Sequence, residues 1–212
     1  MLKIENAEVM GWEAAIRGMR NPMNSWEKSD SEFKCSSAIS DGVHFPQCVR
    51  LLTGDGIVAE IGANDFALMK KLVNAGTDHR KFMRMITVYA DIIAPLYWWK
   101  EFDTYKVGTV ANSCSTMHTI ADKEFTLDDF SCEHLSDISM EGFKKHIEYL
   151  EVLRIAYVSA EDGDEYAGMN KKDIWWKMIQ LLPSSYNQRR TVMLNYEVLA
   201  NIYKSRRNHK LD

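Results

Sequence analysis

Cysteine, proline and glycine are all sparse in this chain. Four cysteines among 212 residues (Cys35, Cys48, Cys114 and Cys132) include no C-x-x-C pair. That excludes a thioredoxin-type redox motif or a paired-thiolate metal site, and free thiols suit a reducing cytoplasm. Four prolines and 11 glycines exclude collagen-like and low-complexity chains. Basic charge is not in excess: the formal net charge is −4, the wrong sign for coating DNA or an acidic membrane. Apolar stretches are interrupted by charge well short of the ~18 residues a membrane span needs. The start, Met1-Leu2-Lys3-Ile4-Glu5, lacks the apolar stretch of a signal peptide. Six scattered histidines, without H-x-H or H-E-x-x-H, give no metal-ligand spacing.

What is present is ordinary globular composition, 46% hydrophobic and 26% charged, with many aromatics: six Trp and nine Tyr. Such a surplus serves a core first, then subunit contacts or a pocket for a planar ligand. Length and composition predict a single domain over residues 1–212, and the succession of elements along it an α/β or α+β class with a small mixed or antiparallel sheet flanked by long helices. Val9, Met10, Trp12 and Ile16 predict a short helix that stops before Pro22. Residues 24–41 read as a polar loop or lid. Val49–Thr53 and Ile57–Ile61 around Gly54-Asp55-Gly56 predict a hairpin. Asn64 to Gly76 reads as a capped helix.

Residues 78–94 fit a helix or a strand equally, and Pro95 then suits the first turn of a helix to Phe102. Residues 122–141 read as an exposed acidic connection. Phe143, Ile147, Leu150, Leu153 and Tyr157 predict an amphipathic helix, and Glu161–Glu165 a solvated loop. A further helix runs from Ile174 to Pro183, and a last one from about Asn187 to Ser205.

Three clusters stand apart. Tyr97-Trp98-Trp99-Lys100-Glu101-Phe102-Asp103-Thr104-Tyr105-Lys106 interleaves aromatics and charges, either as an amphipathic helix or as a pocket wall for an aromatic anion. Thr109–His118 is crowded with short polar side chains able to donate to phosphate oxygens or a base edge, or else is a hydroxyl-rich loop or edge strand. A Cys114–His118 nucleophile pair lacks a third orienting group. Residues 204–210 carry four Lys or Arg and no acid, more than helix capping requires and suited to a phosphate-bearing ligand.

In order, these clusters resemble the flavin-dependent thymidylate synthases. Ala94-Pro95-Leu96-Tyr97-Trp98-Trp99 is similar to the family's proline-started aromatic helix. Thr104-Tyr105-Lys106 falls at its Arg-His-Arg, and Asn112-Ser113-Cys114-Ser115-Thr116-Met117-His118 at its Asn-Glu-x-Ser-x-Arg-Tyr. Leu182-Pro183, Thr191-Val192, Asn195, Asn201 and Arg206 match its downstream pattern. The resemblance, mainly over residues 78–212, implies reductive methylation of dUMP to dTMP with FAD, methylenetetrahydrofolate and NAD(P)H. It also implies a homotetramer with active sites shared between subunits. It assigns Lys106, Tyr105, Asn195 and Asn201 to the flavin, and Glu101, Ser113, Ser115 and Arg206 to the nucleotide, with Ser115 orienting the pyrimidine. The chain departs from the pattern at Thr104, Tyr105, Ser113, Met117, His118 and Ile179, where the family has Arg, His, Glu, Arg, Tyr and Arg. A non-catalytic flavin- or nucleotide-binding relative of the family, and a plain helical interaction protein, are the other readings the residues leave open.

Overall fold

The computed structural model describes residues 2–35, 49–52, 57–105, 107–160, 165–166 and 168–208. The chain forms two compact units. The first comprises Met1–Ile4, Ile92–Thr104 and Asn112–Thr191; the second comprises Glu5–Asp91, Tyr105–Ala111 and Val192–Asp212. Among the described residues nine strands and seven α-helices follow one another, and the expected mixture of helix with small sheets holds.

Strand β1 (Lys3–Met10), which enters the second unit at Glu5, leads to helix α1 (Trp12–Arg20). Val9 and Met10, read above as helical, end the strand. The turn between them is Gly11, at φ 91, where an added Cβ would stand 2.3 Å from the Met85 carbonyl oxygen. Only glycine fits both constraints. Strands β2 (Glu32–Cys35), β3 (Val49–Leu52) and β4 (Ile57–Ile61) form an antiparallel sheet of order β2-β4-β3. The expected hairpin is its β3–β4 pair, Val49 opposite Ile61 and Leu52 opposite Val58; Thr53 to Gly56 lie outside the described residues.

Helix α2 (Ala63–Asn74) starts under a remote cap: the Asp30 carboxylate accepts from the backbone N–H of Asn64 and Asp65 at 2.9 and 3.0 Å. Asn64, the expected cap, sits inside the helix. Ala15, Ile16 and Met19 of α1 bury against Ala59, Ile61, Met69 and Ile86 to form this unit's core.

A charged knot is locked beside it. Asp65 is fully buried and accepts from Arg20 Nε (2.6 Å), Ser29 Oγ (2.8 Å), Ser31 Oγ (2.6 Å) and the backbone of Asp30 and Ser31. Burial pushes this carboxyl up. The hydrogen bonds from Ser31, Ser29 and Arg20 outweigh it and hold Asp65 below the usual carboxylate range.

The ambiguous stretch 78–94 divides. Lys81–Arg84 is a short 3-10 turn, and Thr87–Pro95 is strand β5, whose alternate residues Val88, Ala90, Ile92 and Ala94 are buried. Period-two burial is the strand solution for β-branched residues.

Helix α3 (Leu96–Phe102) follows Pro95 as expected. Strand β6 (Val110–Ser113) confirms the edge-strand reading of the polar cluster: a four-stranded sheet has the order β1-β5-β9-β6, with β9 spanning Asn187–Asn195. The expected final helix therefore begins late. Gln188, Val192 and Leu194 of β9 are buried while Arg189 and Thr191 are exposed, and only Tyr196–Arg206 (α7) is helical.

The first unit also holds the short helix α4 (Thr116–Thr119), helix α5 (Asp137–Ser159), the two-residue strands β7 (Glu165–Tyr166) and β8 (Met169–Asn170), and α6 (Lys171–Leu181). Its core joins Ile147, Leu150 and Leu153 of α5 to Ile174 and Met178 of α6. The connection before α5 is not simply exposed, because Phe125 and Phe130 insert into this core. Phe130 meets the Phe143 and Tyr186 rings edge-on. No helix among the described residues is long and apolar enough to cross a membrane.

Candidate functional site

In the second unit, the strand-to-helix junction β9–α7 carries three of the residues singled out from sequence. Asn195 caps α7, its Oδ1 accepting from Val198 N at 3.1 Å. Its Nδ2 faces Gly108, which at φ +75 leaves space that a Cβ, 2.7 Å from that nitrogen, would take. Arg206, in the last turn of α7, donates from Nε to the Tyr105 hydroxyl at 3.1 Å, its guanidinium 5.9 Å from the ring centroid. Asn201 is exposed, and its Oδ1 accepts from Arg80 Nη2 at 3.2 Å. Lys106 lies outside the described residues.

Beside Asn201 is a set that sequence reasoning missed. Glu197, one α-helical turn earlier, is 7% exposed and is gripped by Arg80 Nε at 2.9 Å and by Arg84 Nε. The hydrogen bond from Arg84, aided by that from Arg80 and opposed by burial, holds the Glu197 carboxyl below its ordinary range. No local spacing joins residues 80, 84 and 197, so no sequence signal pointed to the set.

The first unit holds Glu101, Ser113 and Ser115, all exposed. Glu101 is in the last turn of α3 and its carbonyl accepts from the Thr104 backbone (3.2 Å) and hydroxyl (2.7 Å). Ser113 ends β6. Ser115 precedes α4, and its carbonyl takes bonds from His118 N, Thr119 N and Thr119 Oγ1.

Gln188 ties this segment to the neighbouring strand: its Nε2 donates to the Cys114 carbonyl at 3.0 Å and to Thr116 Oγ1 at 3.1 Å, and its Oε1 accepts from Arg190 Nε at 2.9 Å. Trp99, fully buried, donates from its indole N–H to the Gln188 carbonyl at 2.9 Å, and Arg190 stacks 4.2 Å over its ring. The aromatic helix follows the amphipathic reading in part. Trp99 and Phe102 are core, whereas Tyr97 is 44% exposed.

The donor set of the second unit fits a flavin. An isoalloxazine offers ring carbonyls and a flat face. Here two asparagine amide NH2 groups have no hydrogen bond among the described residues, and Tyr105 supplies a ring under a fixed guanidinium. The glycine beside Asn195 lets backbone approach closely.

No family model matches the chain, and no curated protein matches it in sequence. The likeness is one of fold. Two structures of the flavin-dependent thymidylate synthase ThyX from Helicobacter pylori with FAD and dUMP align with TM-scores of 0.60 and 0.58. Their identities are 13% and 15%, over 99% of this chain and 85% of theirs. The UMP/dUMP methylase PolB from Streptomyces cacaoi, bound with 5-Br dUMP, aligns with a TM-score of 0.55. Its identity is 9%, over 95% of this chain and 75% of that one. The chain therefore has a ThyX-like fold.

Proposed function

We propose that this protein is a flavin-dependent thymidylate synthase, which methylates dUMP reductively to dTMP. One observation carries the reading: in a ThyX-like fold, the β9–α7 junction presents the Asn195 amide against Gly108 and the Arg206–Tyr105 pair. Asn195, Asn201, Tyr105 and Lys106 hold FAD. Bound flavin supplies hydride and one-carbon transfer, so the chain needs no nucleophile of its own. Its residues bind and orient.

Ser115 orients the pyrimidine, with Ser113, Glu101 and Arg206 on the nucleotide side, Arg206 through charge-assisted hydrogen bonds. The one-carbon unit comes from methylenetetrahydrofolate and the reducing hydride from NAD(P)H, while C5 of the pyrimidine gives up its proton. The enzyme works in the cytoplasm as a homotetramer. Exposed Tyr149, Val152, Ile155 and Val158 along α5 are the surface for contact between its subunits.

The test is flavin binding. The purified protein is expected to be yellow, or to take up FAD with a rise in melting temperature, because a ligand of the native state stabilises it. A colourless protein whose melting temperature is unmoved by excess FAD contradicts the proposal. Binding of FAD and dUMP without turnover favours a non-catalytic relative. The observation on that side is that Met117 and Ile179 stand where the family has arginines.

A further inference from the structure

Arg190 is a well-fixed cation of the first unit. Its side chain is 16% exposed, its plane lies on the buried Trp99 ring, and its Nε is bound by Gln188. Its Nη1 donates to Asp103 Oδ1 at 2.9 Å, whereas Nη2 has no hydrogen bond among the described residues. Asp103 is different in kind: its side chain is 47% exposed at the end of α3. An ion pair with so exposed a carboxylate is weak and easily exchanged. The guanidinium, by contrast, is stripped of water on one face and already oriented, so an incoming oxyanion meets little ordering cost. The same Gln188 side chain that anchors Nε also donates to Thr116 Oγ1, leaving that hydroxyl's own proton free to donate. Guanidinium and hydroxyl thus flank one amide, and both present donors.

We propose that Arg190 is an anion seat that takes the phosphate of a nucleoside monophosphate in exchange for the Asp103 carboxylate. Thr116 is the second donor. The proposal rests on the nucleotide reading above for the identity of the anion, but not for the existence of the seat. Asp103 acts as the internal stand-in that keeps the cation paired until the phosphate arrives. A phosphate dianion offers more charge and more lone pairs than the carboxylate it replaces, and the planar fork suits it.

Calorimetric titration of the full chain with dUMP, deoxyuridine and inorganic phosphate tests this. Arg190→Gln is expected to weaken dUMP by about 10- to 100-fold, the loss of one charge-assisted contact, and to leave deoxyuridine unchanged. Arg190→Lys keeps the charge without the fork and falls between. Asp103→Asn removes the stand-in without touching the stack on Trp99, so it reports even if Arg190→Gln fails to fold. It is expected to tighten dUMP and phosphate several-fold. Equal weakening of dUMP and deoxyuridine in Arg190→Gln, or no tightening in Asp103→Asn, overturns the seat, as does a wild type that binds neither dUMP nor phosphate. If wild type binds phosphate but not dUMP, and the variants shift phosphate as described, the seat stands and the nucleotide reading fails.

Discussion

Arg206 and Tyr105 engage each other twice, by a hydrogen bond of 3.1 Å from Nε to the phenol oxygen and by a guanidinium 5.9 Å from the ring centroid. The tyrosine therefore orients the arginine, and the arginine covers the ring. Each residue's proposed ligand depends on the other's position.

That coupling has separable consequences. Arg206→Ala is expected to weaken dUMP by about 10- to 100-fold, since it removes a charged donor. Tyr105→Phe keeps the ring and removes one hydrogen bond, so dUMP should weaken by less than about tenfold. Tyr105→Ala should act mainly on FAD. Equilibrium titrations of each variant with FAD and with dUMP resolve the three patterns, and identical losses for both ligands in all variants would contradict them.

The clamp on Glu197 predicts a pH dependence. Arg84 and Arg80 hold this carboxyl below its ordinary range. In the unfolded chain it titrates near 4.3. Its stabilising contribution is therefore complete above that value and is lost as pH falls through the lower folded-state value, because the unfolded chain then binds the extra proton. Glu197→Gln should unfold more easily at neutral pH, yet lose less additional stability between about pH 5 and 3 than wild type does. Urea titrations at stepped pH check this, and parallel acid limbs would contradict it.

Asp65 and Arg20 form a buried pair with side chains 0% and 4% exposed. Removing one partner strands the other charge, so Asp65→Ala is expected to cost about 3–5 kcal/mol. Arg20→Ala should cost a similar amount. The double variant should cost less than the sum, as residues of one network are not additive. A chemical-denaturation double-mutant cycle measures this.

Much of the fold could be read from sequence because the signals were local. Pro95 placed the start of α3, Gly54-Asp55-Gly56 between two apolar runs pointed to the β3–β4 pair, and the helical spacing of Ile147, Leu150 and Leu153 pointed to α5. Reading failed where two periods fit the same residues. Over 187–195, Val192 and Leu194 alternate on a buried strand, but they also blend into the helical spacing of α7 that follows. The strand wins because β9 lies between β5 and β6, a long-range pairing no local window contains.

The site divides in the same way. Asn195 and Arg206 follow a spaced motif. The partners Arg80 and Arg84 of Glu197, and Asp103 and Trp99 of Arg190, are brought in by tertiary packing from 87 or more residues away along the chain.

The measurement that bears most directly on the account is tritium release from dUMP labelled at C5. With FAD, methylenetetrahydrofolate and NADPH all present, the account predicts release that stops when any one is omitted and falls sharply in Arg206→Ala. A protein that binds both FAD and dUMP yet releases no tritium with the full set would contradict it.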